Sequence, residues 1–515
     1  MTAKHRFGDL LNGLAVRRVW GDPDVDIADV CYDSRLARPG SLFVALRGGY
    51  ADGHDYLADA AERGAVAAMV EADSPELSRF TAVALVDDTR AALSPVSAAF
   101  FDQPGSALGV IGVTGTDGKT TTTYLIDVIL RRAGYRTGMI GTVAVRIGDR
   151  IIEHDTRQTT PESLEIQRLL ARMRDSGVEW SVTEATSHGL VLHRLDDVPI
   201  DIAVVTNITR EHLDFHGTID AYRRAKARLL EAAVRSRDRD YPHAAVLNAD
   251  DEGARSIAGW ADGIPTLWYS RRGANADVVA EDVHLDAQGS TFRLILPSGA
   301  ADVRLALIGG FNVENALAAA GVAYAVGCSP EQIASGLASL VAVPGRMHRV
   351  DAGQPFSVFV DYAHTPDALE KMLRLLRSLV KGRLIAVFGS AGERDRTKRP
   401  LQGAVSARLA DFSIFTSEDP RFEEPDAIIA EIAVGADEVG AVAGRDYLCI
   451  EDRRAAIRAA IQMAGPGDAV LLAGKGHEQC MIYGAERRPW DEAREAAEAL
   501  RLLGYGTERQ AGNEA

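Results

Sequence analysis

Val113-Thr114-Gly115-Thr116-Asp117-Gly118-Lys119-Thr120 is the stretch from which the rest of the chain can be read. It follows a β-branched apolar run at residues 110–113 and opens a helical pattern that runs to about Arg132, ahead of Gly134. Strand, glycine-rich loop and helix in that order bind phosphate. Glycines let backbone N–H groups close around the oxygens, and the amino end of the helix favours their negative charge. Gly115, Thr116, Asp117, Gly118, Lys119, Thr120 and Thr121 are therefore the candidate nucleotide contacts. Lys119 can reach the β- and γ-phosphates of ATP, and the Thr120 hydroxyl can ligate Mg²⁺. A strict phosphate loop has Gly where Val113 stands, so this loop is a variant. The bland alternative, a turn with a chance Lys-Thr, loses to the strand–loop–helix context.

The same alternation continues outward. Short apolar runs recur at 180–182, 202–205 and 245–247, and again at 358–360, 384–388, 413–415 and 469–472, with helical patterns between them. That pattern implies parallel sheets covered by helices on both faces, with ligands beyond the carboxyl ends of the strands. The expected fold class is α/β in three domains, with a central P-loop ATPase-type parallel sheet and a Rossmann-like C-terminal domain. The punctuation at Asp102-Gln103-Pro104-Gly105 and Pro344-Gly345 sets the expected boundaries at 1–104, 105–343 and 344–505, with a frayed tail over 506–515. A chain of 515 residues is too long for one ordinary core.

Composition narrows the function class. Asp and Glu exceed Lys and Arg by 73 to 57, a net charge of −16, which argues against a general nucleic-acid or anionic-membrane binder. A few local Arg and Lys can still hold an anionic substrate. Residues 1–14 contain no long apolar stretch, so neither a signal peptide nor a membrane span is expected, and the cytoplasm is the expected compartment. Cys31, Cys328, Cys449 and Cys480 show no CxxC spacing and are expected to be free buried thiols. A monomer is expected.

Two polar clusters follow the middle runs. Glu184, in Thr183-Glu184-Ala185-Thr186-Ser187-His188, lies just after a strand, where a carboxylate facing the phosphate loop suits Mg²⁺. A helix cap or surface carboxylate is the competing interpretation. The second cluster is Thr206-Asn207-Ile208-Thr209-Arg210-Glu211-His212-Leu213-Asp214-Phe215-His216-Gly217, followed by Tyr222 and Lys226. Its two histidines and oxygen donors suit metal or substrate. Lys226, among Arg223, Arg224 and Arg228, reads on its own as part of a solvated basic face.

Taken in order, the blocks resemble the Mur ligases over nearly the whole chain, and among them the MurE type, the UDP-N-acetylmuramoyl-L-alanyl-D-glutamate:diamino-acid ligases. The resemblance rests on Asp33-Ser34-Arg35, Asp52-Gly53-His54, the phosphate loop, Gln158-Thr159-Thr160-Pro161-Glu162 and the Glu184 and His212–Lys226 blocks. It continues through Asn248-Ala249-Asp250-Asp251, Phe311-Asn312-Val313-Glu314-Asn315, Pro344-Gly345-Arg346-Met347 and Asp361-Tyr362-Ala363-His364-Thr365-Pro366. It ends in Arg394-Asp395-Arg396-Thr397-Lys398-Arg399-Pro400, Glu418-Asp419-Pro420-Arg421 and Gly474-Lys475-Gly476-His477-Glu478. The resemblance implies that Ser34 with Gly49, Tyr50 and Ala51 holds the uridine nucleotide. Gln158, Thr159, Thr160, Thr186 and Arg194 would hold the muramyl dipeptide. Asn248, Asn312 and Arg346 would lie around ATP. Arg394, Glu418, Asp419, Pro420, Arg421, Gly474 and Glu478 would receive the amino acid. Lys226 matches the lysine that the family carbamylates, and His212 and Lys226 would share a second metal while Thr120 and Glu184 share the first. Lys119, Glu184, His212 and Lys226 are then the catalytic set.

Some positions depart from the family pattern. Leu192 stands where many members have Gln, Thr186 replaces Ser, Asp117 replaces Asn, and Ser390-Ala391 replaces a more Gly-rich pair. Glu418-Asp419-Pro420-Arg421 differs from the Asp-Asn-Pro-Arg of enzymes that add meso-diaminopimelate. Two anions there would attract a distal ammonium, so lysine or ornithine is favoured over meso-diaminopimelate. The competing functions are a folylpolyglutamate synthetase-like ligase, which lacks a uridine-binding first domain, and a non-catalytic nucleotide-binding relative. Lys119, Thr120, Glu184, His212 and Lys226 together argue against the latter.

Overall fold

The computed structural model describes residues 5–49, 51–152, 158–273 and 275–506. Tyr50 and all but the first residue of the expected tail lie outside them. The chain forms two compact units. The first comprises the described residues through Glu281 with Arg293–Asp302 and Glu314–Leu337. The second comprises Asp282–Phe292, Val303–Val313 and the described residues from Ala338 onward.

The first unit contains two large sheets and a two-stranded ribbon of His5–Arg6 with Asp26–Ile27. The amino-terminal one has five strands in the order Val16–Gly21, Ala82–Val86, Ala65–Val70, Ser41–Val44 and Asp29–Cys31. Only its first pair is antiparallel. Its inner strands are apolar on both faces because both are covered: Leu42 and Val44 face one core, Phe43 and Ala45 the other.

In the central sheet the parallel strands run Thr137–Ile140, Trp180–Glu184, Gly109–Thr114, Ile202–Val205, Ala244–Asn248 and Thr266–Ser270. Glu184 pairs with Val113 and Val205 with Thr114, so several carboxyl ends finish level. Small residues in the phosphate-loop strand make room for large neighbours. A Cβ on Gly109 would lie 2.5 Å from the Trp180 ring, and one on Gly112 would lie 2.6 Å from Leu229. The segment that joins the two sheets is clamped by Arg239. Its guanidinium donates to Gly105 O at 2.9 Å, to Leu108 O at 2.7 Å and to fully buried Asp201 at 2.8 Å.

The second unit is built on a sheet ordered His348–Arg349, Ser357–Asp361, Ala469–Ala473, Leu384–Phe388, Phe412–Phe415 and Tyr447–Cys449. All but the first pairing are parallel. Phe359, Ala386 and Leu471 face a core shared with helices Pro366–Leu379 and Pro425–Glu438. Val358, Ile385 and Val470 face another, shared with Arg453–Met463 and Glu492–Leu502. The α/β expectation holds, and every apolar run named from the sequence is a strand. No helix among the described residues is long and apolar enough to cross a membrane. The expectation of four buried thiols holds for Cys31 and Cys328, whereas Cys449 is exposed and Cys480 partly so.

Candidate active site

The phosphate loop lies where the sequence puts it, between strand Gly109–Thr114 and helix Lys119–Arg132. Its glycines are required by space as well as by conformation. Gly115 has φ +154° and a Cβ there would fall 1.8 Å from Thr206 Oγ1; Gly118 has φ +87° and its Cβ would fall 2.3 Å from Asn315 Oδ1. The loop is tied to the neighbouring strand end. Asn207 O accepts the Thr116 N–H at 2.8 Å, Asn207 Oδ1 accepts the Asp117 N–H at 2.9 Å, and the Thr206 hydroxyl donates to Asp117 O at 2.6 Å. Lys119 Nζ curls back onto Gly115 O at 2.9 Å and Thr116 O at 2.8 Å. Thr121 is buried on the first turn of the helix.

Glu184 is 1% exposed, which rules out the surface-carboxylate alternative. Its Oε2 accepts from Thr120 Oγ1 at 3.0 Å and from Thr142 Oγ1 at 2.9 Å, and its Oε1 accepts the Thr142 N–H at 2.8 Å. Thr142 Oγ1 also lies 3.1 Å from Thr159 Oγ1, whose hydroxyl can donate to it. A hydroxyl and a carboxylate side by side, both hard oxygen donors next to a phosphate loop, fit Mg²⁺. Thr142 is absent from the sequence-based set. It lies just after strand Thr137–Ile140, so the strand-end rule that found Glu184 could have found it.

The dipeptide candidates form a chain of contacts. Thr160 Oγ1 donates to Glu184 O at 2.9 Å and accepts the Thr186 N–H at 3.0 Å. Thr186 caps the helix Ser187–Val191 by accepting the Gly189 N–H. Arg194, 8% exposed, donates to Thr160 O at 2.8 Å and to Glu162 Oε1 at 2.7 Å. Glu162 is shared with Arg90, which binds both its oxygens at 2.9 Å. Gln158 is exposed. Ser34 is buried and bonds to the Asp59 carboxylate, while Gly49 is the exposed tip of a turn closed by Gly48 N–H to Ala51 O at 2.8 Å.

Lys226 overturns the solvated-face interpretation. It is 1% exposed, on helix Ile219–Arg235, and its Nζ donates to Gly115 O at 2.7 Å. That carbonyl is the one Lys119 uses. Burial, and then the Lys119 charge, push the Lys226 amine well below its ordinary range. His212 sits among the rings of His188, at 4.9 Å, and Tyr222, at 6.4 Å, and makes no hydrogen bond to Thr120, Glu184 or Lys226 among the described residues. No group of three His, Cys, Asp or Glu among the described residues is arranged to hold a metal ion. Asn248 is buried; it donates to Thr206 O at 2.9 Å and so braces the loop strand's neighbour.

The second unit holds Asn312, which donates to Ile308 O at 2.8 Å, and Arg346, whose guanidinium lies 5.2 Å from the Tyr362 ring. It also gathers the amino-acid candidates. Glu418 and Asp419 are 6% and 4% exposed. Burial first of all pushes the Glu418 carboxyl up to about 7, and its Oε2 has no hydrogen-bond partner among the described residues. Gly474, at φ +103°, is where a Cβ would lie 1.9 Å from that oxygen. Asp419 is not the free anion the sequence suggested, because Lys475 Nζ donates to its Oδ1 at 2.9 Å. Pro420 leads into Arg421, whose N–H donates to Ile482 O at 3.0 Å and whose Nε is buried without a partner among the described residues. Arg394 is exposed, and Glu478 is reached by Lys475.

Comparison with known proteins agrees with this geometry. Residues 113–323 match the Mur ligase middle domain, 345–476 the Mur ligase glutamate ligase domain and 26–101 the Mur ligase family catalytic domain. The UDP-N-acetylmuramyl-tripeptide synthetase of Roseiflexus sp. (strain RS-1) is 52% identical over 93% of this chain and 96% of its own. The UDP-N-acetylmuramoyl-L-alanyl-D-glutamate--2,6-diaminopimelate ligase of Geobacillus kaustophilus is 43% identical over 94% and 96%. A solved structure under that second name superposes with a TM-score of 0.68 at 31% identity, covering 98% of this chain and all of its own. A Mycobacterium tuberculosis folylpolyglutamate synthase complexed with ADP and AMPPCP shares the fold at 18% identity, with a TM-score of 0.59 over 81% of this chain and 94% of its own. Phosphate loop, buried Thr120–Glu184 pair and full-length likeness converge: the chain belongs to the Mur ligase family, the ATP- and Mg²⁺-dependent amide-bond ligases.

Proposed function

We propose that the chain joins a diamino acid to UDP-N-acetylmuramoyl-L-alanyl-D-glutamate in peptidoglycan precursor synthesis, acting as a monomer in the cytoplasm. The observation that carries the catalytic part is the convergence of Lys119 and Lys226 on one carbonyl oxygen, Gly115 O. Two ammonium groups at one acceptor repel each other, and the buried one is the easier to neutralise. Neutral Lys226 amine adds to CO₂, forming an N–C bond and releasing a proton, and the resulting carbamate is an anion beside the Lys119 cation. Repulsion becomes attraction, and the phosphate loop gains an oxygen ligand.

A carboxylate is a poor acyl donor because oxide is a poor leaving group. Transfer of the γ-phosphoryl of ATP to the glutamyl side carboxylate gives ADP and an acyl phosphate. The neutral amine of the amino acid attacks that carbonyl carbon, the C–O bond breaks, phosphate leaves, and the amine loses a proton. Thr120 and Glu184 would hold Mg²⁺, which would supply positive charge next to the phosphates. Lys119 adds to it, and Arg194 with Thr160 and Thr186 orients the dipeptide.

The choice of amino acid turns on Asp419. Its pairing with Lys475 removes the argument from two free anions, yet its Oδ1 also accepts the Ile482 N–H, so the side chain presents acceptors where the Asn of the family motif presents a donor. Acceptors suit the ammonium of lysine or ornithine better than the second carboxylate of meso-diaminopimelate. The test is phosphate release with UDP-muramyl dipeptide and each of the three amino acids. Release is expected to need all three substrates, with a higher kcat/KM for lysine or ornithine. A clear preference for meso-diaminopimelate overturns the choice of amino acid, and release without any amino acid overturns the ligase assignment.

A further inference from the structure

Gly474-Lys475-Gly476-His477-Glu478 folds so that the Lys475 side chain is fully buried. Its Nζ donates to Asp419 Oδ1 at 2.9 Å and to Glu478 Oε2 at 2.5 Å. The flanking glycines allow this turn: a Cβ on Gly474 would lie 1.9 Å from Glu418 Oε2, and one on Gly476 would lie 2.7 Å from Tyr362 Cβ. A methionine could fill the same volume without the cost of burying an ammonium. A cation here has to be explained by its partners.

Three carboxylates meet at this point: Glu418, Asp419 and Glu478. The cations acting on Glu418 are Arg453, Lys398 and Lys475. Lys398 Nζ is held by His364 O at 3.0 Å, and Arg453 is committed to Glu492 at 2.7 Å. Lys475 alone of these three is hydrogen-bonded to Asp419 and Glu478 among the described residues.

We infer that Lys475 is a positioning and specificity-determining residue of the amino-acid pocket: its buried ammonium clamps Asp419 to Glu478 and sets the charge the pocket presents to the far end of the incoming amino acid. This rests on the proposal that the pocket receives a diamino acid. Counting Lys475, Asp419 and Glu478, the unaltered pocket carries one net negative charge. Lys475→Met leaves two, Asp419→Asn leaves none, and Lys475→Met with Asp419→Asn returns it to one. A more anionic pocket favours a distal ammonium and rejects a distal carboxylate.

The experiment measures KM and kcat/KM for lysine, ornithine and meso-diaminopimelate in the full chain and these three variants. The ratio of kcat/KM for lysine or ornithine to that for meso-diaminopimelate is expected to follow the charge. It falls in Asp419→Asn, returns to the starting value in the double variant, and rises about tenfold in Lys475→Met, the size expected for one added like charge. KM for ATP and for UDP-muramyl dipeptide stays unchanged, since Lys475 touches neither set of candidate residues. A merely structural lysine would lower kcat for all three amino acids in proportion and leave the ratio fixed, and that result overturns the inference. If Lys475→Met does not fold, the comparison of Asp419→Asn with the double variant carries the same test: an unchanged ratio between them overturns it. Failure of the unaltered protein to ligate any of the three amino acids refutes instead the proposed function.

Discussion

At the scale of single residues, Lys226 and Lys119 share an oxygen but are expected to fail differently. Lys226→Ala should nearly abolish ligation while the chain still folds, because the variant removes a desolvated amine and, on the proposed mechanism, a carbamate. Partial rescue by a short carboxylate such as formate is the expected sign that an anion was lost, and full activity would remove Lys226 from the mechanism. Lys119→Ala should lower kcat on the order of a hundredfold or more, since a cation fixed near transferring phosphoryl charge stabilises the transition state. Turnover unchanged at saturating ATP would reduce its role to binding.

Glu418 gives a pH prediction. Its carboxyl is raised from 4.5 to about 7, chiefly by burial. Between those values the native state holds a proton that the unfolded chain has released, so this group's contribution to stability is full below pH 4.5 and is lost as pH rises through 7. Glu418→Gln should remove that part of the decline, read as a flatter melting temperature between pH 5 and about pH 8. An identical pH profile in variant and unaltered protein would count against the burial of a proton there.

At the scale of elements, the loops that hold the chemistry depend on glycines at left-handed positions. Gly118→Ala keeps a φ of +87° unfavourable and sets a methyl 2.3 Å from Asn315 Oδ1. The left-handed conformation alone costs about 1–2 kcal/mol, so nucleotide affinity should fall roughly tenfold, measured by titrating ADP. Much of this level was legible beforehand. The strands were apolar runs, the phosphate loop followed one, and Glu184 followed another. Lys226 was legible too, although its arginine neighbours hid it: Tyr222, Ala225, Lys226, Leu229, Leu230 and Ala233 form one buried helical stripe. Thr142 was reachable by the strand-end rule. The Lys475–Asp419 bond, across 56 residues of sequence, was not, because no local periodicity reports which side chains meet when two distant loops close together.

At the scale of the whole molecule, three arginines hold the first unit's pieces in register. Arg239→Ala should strip Asp201 of its guanidinium partner, leaving the Val110 N–H at 2.7 Å and His243 at 3.8 Å, while the carboxylate stays buried, and loss of such a partner costs about 3–5 kcal/mol. Thermal or urea unfolding should show it, and a loss below 1 kcal/mol, within the usual range of surface pairs, would mean that Asp201 simply takes up a proton. Burial already raises that carboxyl to about 6.

The other arginine pairing bears on modularity. Glu162 is gripped from one side by Arg90, on the helix Thr89–Phe100 of the amino-terminal sheet, and from the other by Arg194, the proposed dipeptide contact. The boundary that the sequence leads one to expect at residue 104 falls inside one compact unit and is therefore not a place where the chain can be recombined at will. A chimera that grafts a first domain lacking an arginine at position 90 leaves Glu162 to Arg194 alone. That recombinant should still bind ATP while its dipeptide site drifts out of alignment.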